Sequence, residues 1–333
     1  MKIKRNLIII IVMDILMFFC YFLFYGPFGG FRTYIITTSM LTMEHKYIAH
    51  TFYSQKTIDK IMNENMIEDI KEDTNDEEIE FTSKEVYDSI YEEQVLKKDP
   101  GNDLYKIVDL KGDNYRGYMV VVYDPSRISL ASTAYLGYNG QILRDIAIQN
   151  DAIIAVNASG FKDDDGRGHG GIPTGTVISN GKVIYQGGYT GYPGGLVGFN
   201  KDHVLILTKK TPYQAIQEGM VDAVEFGPFL IVNGQKALTK GNGGAGINPR
   251  TAIAQRKDGI VLFFVIDGRK PGYSIGISFS DLTELIYQYG GYNAANMDGG
   301  ASTTLIVNNK LYNKPSVIGG TGERRVPNGW IVK

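Results

Sequence analysis

The chain has 333 residues, a formal net charge of −2 and an isoelectric point near 6.1, a balance that argues against nucleic acid as a partner. Its one cysteine, Cys20, excludes an intrachain disulfide. Forty glycines and 11% aromatic residues suit a strand-rich chain with many tight turns, and the length admits two domains.

Lys2, Lys4 and Arg5 precede an apolar run, 7–25, broken only by Asp14. Such a run is long enough to span a bilayer. Asp14 near its centre costs roughly 2.5–3.5 kcal/mol, while about thirteen Leu, Ile, Val and Phe residues return ~0.3–0.6 kcal/mol each, so insertion wins. The basic cluster ahead of the span predicts a cytoplasmic N-terminus and an outward-facing remainder. A cleaved signal peptide is the competing reading. Its apolar core is normally shorter and ends in an A-x-A-like site, which this stretch lacks. Residues 1–28 are therefore expected to be a single-pass anchor in the cell membrane.

Residues 29–102 read as a juxtamembrane segment and spacer. The stretch 38–52 mixes apolar residues with Thr and suits a helix, and His45 and His50 within it are a poor metal pair. From 68 to 80 the chain is mostly Asp and Glu with a single lysine, Lys71, as in a solvated spacer or a polar helix. Asp99-Pro100-Gly101-Asn102 marks its end.

Short strands begin at Leu104. Residues 115–123 and 128–135 are β-rich, 141–149 has helical spacing, and 152–156 is a small buried strand ending at Asn157. Asn180-Gly181 and Asn233-Gly234 are hairpin signals, the second closing a run at 224–232, and Asn308-Asn309 turns a further hairpin. Thr211-Pro212 starts a short helix that stops at Gly219. Hairpins outnumber helices, which predicts an α+β domain with mixed sheets over 103–333.

Two apolar strands end in Asp-Gly: 261–266 before Asp267-Gly268-Arg269, and the run before Asp298-Gly299-Gly300. A helix lies between them, with Ser280 as expected N-cap, Asp281 and Glu284 in the first turn, and Gly290-Gly291 as the stop. Strand, helix, strand is a crossover, so both strands should run parallel in one sheet and bring Asp267 and Asp298 to one rim, roughly 5–10 Å apart. That is the range in which paired carboxylates do glycosidic chemistry. Asp258-Gly259 reads as a two-residue hairpin loop, a register in which Arg250 faces Asp267. The pair is either a structural ion pair or an anion-binding arginine beside a catalytic acid.

Other motifs carry less. Gly241, Gly243 and Gly246 fit G-x-G-x-x-G, but Ile247-Asn248-Pro249 follows instead of a helix. Gly300-Ala301-Ser302 is no nucleophile elbow, which leaves Ser302 as a hydrogen-bonding residue. Asp163-Asp164-Asp165 lacks calcium-loop spacing, and no cofactor or metal is called for. His169 is the one histidine suited to acid–base work. Asn157-Ala158-Ser159 is a formal sequon, read here as placing a site asparagine at a strand end.

Val156-Asn157, Gly160-Phe161, Gly171 to Lys182, Glu225 to Gly234, Asn248-Pro249-Arg250-Thr251, Asp267-Gly268-Arg269 and Met297-Asp298-Gly299-Gly300-Ala301-Ser302 form one ordered set. That set resembles the phosphodiester glycosidase family from about Leu104 to Lys333. Asn157-Ala158-Ser159 departs from the Asn-Gly-Gly of many relatives. The resemblance implies hydrolysis of a sugar-1-phosphodiester, for example N-acetylglucosamine-1-phosphate on a cell-envelope glycan, at the anomeric C–O bond. A phosphate leaving group needs a cation more than a proton, and Arg250 or Arg269 can supply it. Asp298, Asp267 and Glu225 are the candidate carboxylates. Asn157, Ser302, Gly299, Gly300, Arg269 and His169 are candidates for holding sugar or phosphate. A glycan-binding module, or a metal-dependent phosphodiesterase cleaving P–O, are the alternatives.

Overall fold

A computed structural model of the chain describes residues 2–40, 46–82, 86–163, 168–188, 194–317 and 322–333. Among these, helix α1 (Lys2–Tyr25) contains a 6–25 stretch that is long and apolar enough to cross a membrane. The chain turns at Gly26 and continues into α2 (Gly29–Met40), α3 (Lys46–Phe52) and α4 (Gln55–Glu64). Residues 41–45, including His45, lie outside the described residues, so the helix expected over 38–52 is seen only as its two flanks. Ile36, Ala49, Tyr53, Ile58 and Ile61 form a small core of their own, with Phe24 stacked on Phe52 at 4.1 Å between centroids. Ser54 starts α4 by accepting the Thr57 N–H.

The acidic stretch is not a free spacer. Met66–Ile67 pairs with Thr239–Lys240, and the chain then runs over the domain, with Glu68 N donating to Leu238 O, Thr74 N to Leu207 O and Glu80 N to Lys257 O. Ile67 and Ile79 are buried, as is Val95 from the helix Ile90–Leu96. Widely spaced aliphatic residues anchor the segment, while Glu68, Asp69, Asp73 and Glu78 turn outward to Lys240, Lys209, Lys210 and Lys257. Acidic composition described the outer face and concealed the inner one.

The central sheet has seven strands, in the order Gln235–Lys236, Phe229–Val232, Gly291–Met297, Arg250–Arg256, Val261–Ile266, Arg116–Val122 and Tyr105–Lys111. Val261–Ile266 is apolar throughout because both of its faces are covered. Leu262, Phe264 and Ile266 meet the helix Phe279–Gln288 through Phe279, Leu282 and Ile286. Val261, Phe263 and Val265 face the opposite core, built with two five-stranded sheets through Val156, Val197, Phe199 and Trp330. A second helix, Leu143–Gln149, covers the outer face of one of these sheets with Leu143 and Ile146 against Ala155 and Ile331. The α+β class is as expected, but the expected mixed sheets are not found, since every described strand pair is antiparallel.

Three local expectations change. Strand Arg250–Arg256 inserts between Val261–Ile266 and Gly291–Met297, antiparallel to both, so the two crossover strands are parallel but not neighbours. The helix between them begins at Phe279, and its N-cap is Ser278, which accepts the Asp281 N–H, rather than Ser280. The run 224–232 is two strands in different sheets, Met220–Phe226 and Phe229–Val232, separated at the cis Gly227-Pro228 bond.

The hairpin register also moves by one residue. Arg256 N donates to Ile260 O and Gly259, at φ +85°, donates to Arg256 O, so the loop has three residues and Arg250 pairs with Ile266. A slip of one residue sends a side chain to the other face of a sheet. Arg250 and Asp267 are thereby parted.

Candidate active site

Asp267 and Asp298 follow the C-terminal ends of two parallel strands with one strand between them, which sets them on one rim about 10 Å apart by strand spacing. Their surroundings differ. Asp267 is buried, and its carboxylate accepts from Tyr273 Oη at 3.0 Å, Asn313 Nδ2 at 2.9 Å and Lys314 N at 3.0 Å. It clips three chain segments together. Arg250, also buried, donates to Ala245 O, Gly246 O and Ile277 O and lies 4.0 Å over the Phe279 ring. It props the 245–246 loop.

Asp298 is half-buried and held by its backbone. Its N–H donates to Ala158 O at 2.9 Å, and its carbonyl accepts from Asn157 Nδ2 at 2.7 Å. Asn157 is inaccessible to solvent, and its Oδ1 accepts from Thr251 Oγ1 at 2.9 Å and Thr304 N at 3.0 Å. The asparagine expected to touch substrate thus spends its amide on fixing the strand ends. Gly299 and Gly300 allow the turn that follows. A Cβ on Gly299 would lie 2.7 Å from Pro249 O, and Gly300 takes φ +62° while donating its N–H to Pro249 O. The 3₁₀ turn Gly300–Ser302 then brings the Ser302 hydroxyl to the Asp298 carboxylate.

Burial pushes the Asp298 pKa up to about 6, with nearby Asp163 adding to the rise. The Ser302 hydroxyl, the Arg324 charge and the Gly299 N–H pull the other way and are outweighed. Two guanidiniums serve this corner. Arg269 sits at φ +57° just after Asp267-Gly268, and its Nε and Nη2 donate to Asn248 Oδ1 at 3.2 and 3.0 Å. Crowding by protein lowers its pKa and Arg324 lowers it further, while Tyr34 and Asp298 favour its charged form. Arg324 pairs with Asp163 and lies 4.7 Å over the Phe161 ring. Sequence reasoning missed Arg324. The one available signal was an arginine pair, Arg324-Arg325, following a glycine-rich run.

Glu225 lies on a neighbouring sheet, where its Oε2 accepts the Thr176 N–H at 2.9 Å. His169 is exposed, and its carbonyl accepts the Gly140 N–H. Asp164 and Asp165 lie outside the described residues. The structure therefore gathers Asp298, Ser302, Gly299, Gly300 and Arg269 with Arg324 and Asp163. Arg250 and Asp267 lie outside this group and are bonded to neighbouring loops. A carboxyl that titrates near pH 6 can exchange a proton at neutral pH, and the two guanidiniums beside it can hold a phosphate, because the planar fork of arginine matches phosphate oxygens.

A family model described as phosphodiester glycosidase matches residues 150–333. The chain is 28% identical over 205 residues to the SPbeta prophage-derived uncharacterized protein YomE of Bacillus subtilis strain 168, covering 58% of this chain and 30% of that one. It is 25% identical over 228 residues to the mouse N-acetylglucosamine-1-phosphodiester alpha-N-acetylglucosaminidase, covering 62% of this chain and 42% of the mouse protein. Less than half the length of these curated relatives is therefore spanned. The zebrafish N-acetylglucosamine-1-phosphodiester alpha-N-acetylglucosaminidase catalytic domain, solved in a form auto-inhibited by its pro-peptide, has the same fold, with a TM-score of 0.56 at 19% identity over 71% of this chain and 85% of that one.

Proposed function

The chain belongs to the phosphodiester glycosidase family, and from that premise we propose that it hydrolyses a sugar-1-phosphodiester at the anomeric C–O bond. The observation that carries the reading is the Asp298 carboxyl, raised to about pKa 6 and set among Ser302, Arg269 and Arg324. Water adds to the anomeric carbon, the C–O bond breaks, and its electron pair leaves with the phosphate oxygen. Arg269 and Arg324 meet the charge that develops there, so the leaving group needs no strong acid. Asp298, mostly ionised at pH 7, stabilises the oxocarbenium-like centre and takes the proton of the attacking water. Asn157 is a positioning residue, and Glu225 is the reserve carboxylate.

The mouse relative's name makes a diester of N-acetylglucosamine-1-phosphate the first substrate to try, and the outward-facing orientation proposed for the domain makes a cell-envelope glycan its carrier. Helix α1 is assigned as a single-pass anchor, N-terminus in the cytoplasm and the sheet domain outside, because Lys2, Lys4 and Arg5 precede its apolar run. Hydrolysis in ¹⁸O-water tests the bond assignment. Label is expected in the released sugar; label in the phosphate would instead mean P–O cleavage. An acid limb near pH 6 is expected in kcat/KM, with activity rising as Asp298 ionises.

A further inference from the structure

A cavity of about 560 Å³ lies between helix α2 and the loops beside the Asp298 corner. Its apolar wall comes from Phe31, Tyr34, Ile247 and Ile275, and its cations are Arg269 and Lys270. Phe31 and Tyr34 are three apart on α2 and so share one face of it. Arg269 belongs to two places at once. It lines the cavity, and its guanidinium lies 3.2 Å from where a Cβ on Gly300 would stand, within the electrostatic reach of Asp298. A phosphate held by Arg269 thus has the reacting corner on one side and an apolar chamber on the other.

The position of the chamber says what should fill it. Phe31 follows the end of α1 by only six residues, so the cavity opens near the end of the apolar helix. A wholly polar glycan aglycone would gain nothing from Phe31, Ile247 and Ile275. We propose that the cavity receives an alkyl chain carried on the substrate phosphate, so that the substrate class is a sugar-1-phosphodiester with an apolar, membrane-derived aglycone. The assignment rests on the hydrolase reading of the Asp298 corner. On hydrolysis the sugar leaves, and the alkyl phosphate is the product left between Arg269, Lys270 and the apolar wall. Each methylene that leaves water should tighten binding about threefold to fourfold.

Two measurements on the full-length protein in nanodiscs, with empty nanodiscs subtracted, test this. Calorimetry should show octyl phosphate binding at least tenfold tighter than ethyl phosphate. That ratio should fall at least fivefold in Tyr34→Ala and in Ile275→Ser, the second of which alters an exposed side chain on a loop and leaves the helical cluster intact. A ratio below twofold, or one unchanged in both variants, would overturn the proposal. Turnover of octyl and ethyl diesters of N-acetylglucosamine-1-phosphate should favour octyl at least tenfold in kcat/KM. Equal turnover of the two would overturn the aglycone assignment and leave the hydrolase reading standing. Octyl preference in binding with neither diester hydrolysed would overturn the hydrolase reading and leave an alkyl-phosphate cavity.

Discussion

Asp298 keeps its proton to about pH 6 because burial disfavours the carboxylate more than Ser302, Arg324 and the Gly299 N–H favour it. The folded state therefore binds this proton more tightly than the unfolded chain does. Stability from this group is fully present below the unfolded pKa, near 4, and is lost as pH rises through 6. The full difference is up to about 3 kcal/mol. Asp298→Asn removes the titration, so its melting temperature should gain on that of the wild type as pH rises from 4.5 to 7, read by calorimetry; a constant offset would place the carboxyl in an ordinary environment. The two arginines separate by the same logic. Arg269→Ala should lower turnover of a phosphodiester roughly 10²–10³-fold, and much less for a nitrophenyl glycoside, whose leaving group brings no phosphate charge. Arg250→Ala should instead lower the melting temperature and affect both substrates alike. It takes one donor from each of three carbonyls, of which Ala245 O and Ile277 O keep a bond from Asn248, for a loss of about 1–3 kcal/mol.

The strand–helix–strand element was readable because its signals are strong and local. Apolar runs end in Asp-Gly at 267 and 298, and a capped helix lies between. The hairpin register was not readable to one residue, because Asp258-Gly259 can close a two- or a three-residue loop, and Arg256 pairing with Asp258 accompanies the longer one. That single residue decides whether Arg250 meets Asp267. Arg324 was hidden for another reason. It reaches Asp163 and Phe161 from a distant part of the chain, and no periodicity marks such a contact. Ile67, Ile79 and Val95 were obscured by the carboxylates around them. Burying these three side chains contributes roughly 5–9 kcal/mol, comparable with the whole stability of a domain. Deleting residues 1–65 should therefore leave a folded domain, whereas deleting 1–102 should yield aggregated protein. A cooperative melt from the shorter form would show that the segment only rests on the sheet.

At the scale of the whole molecule, the apolar helix α1, the helices α2–α4 and a body built on three large sheets place the Asp298 corner beside α2 and not at the far end of the domain. The proposed orientation makes Lys333 accessible to protease added to intact cells; protection until lysis would reverse it. The corner itself carries the account, and one comparison tests it most directly. The kcat/KM of Asp298→Asn on a diester of N-acetylglucosamine-1-phosphate is to be set against that of the wild type at pH 7. With the cooperative melt retained, a loss of at least ~10³-fold is expected, the scale set by an essential proton-transfer group. A folded variant within tenfold of wild type would contradict it and move the chemistry to Glu225.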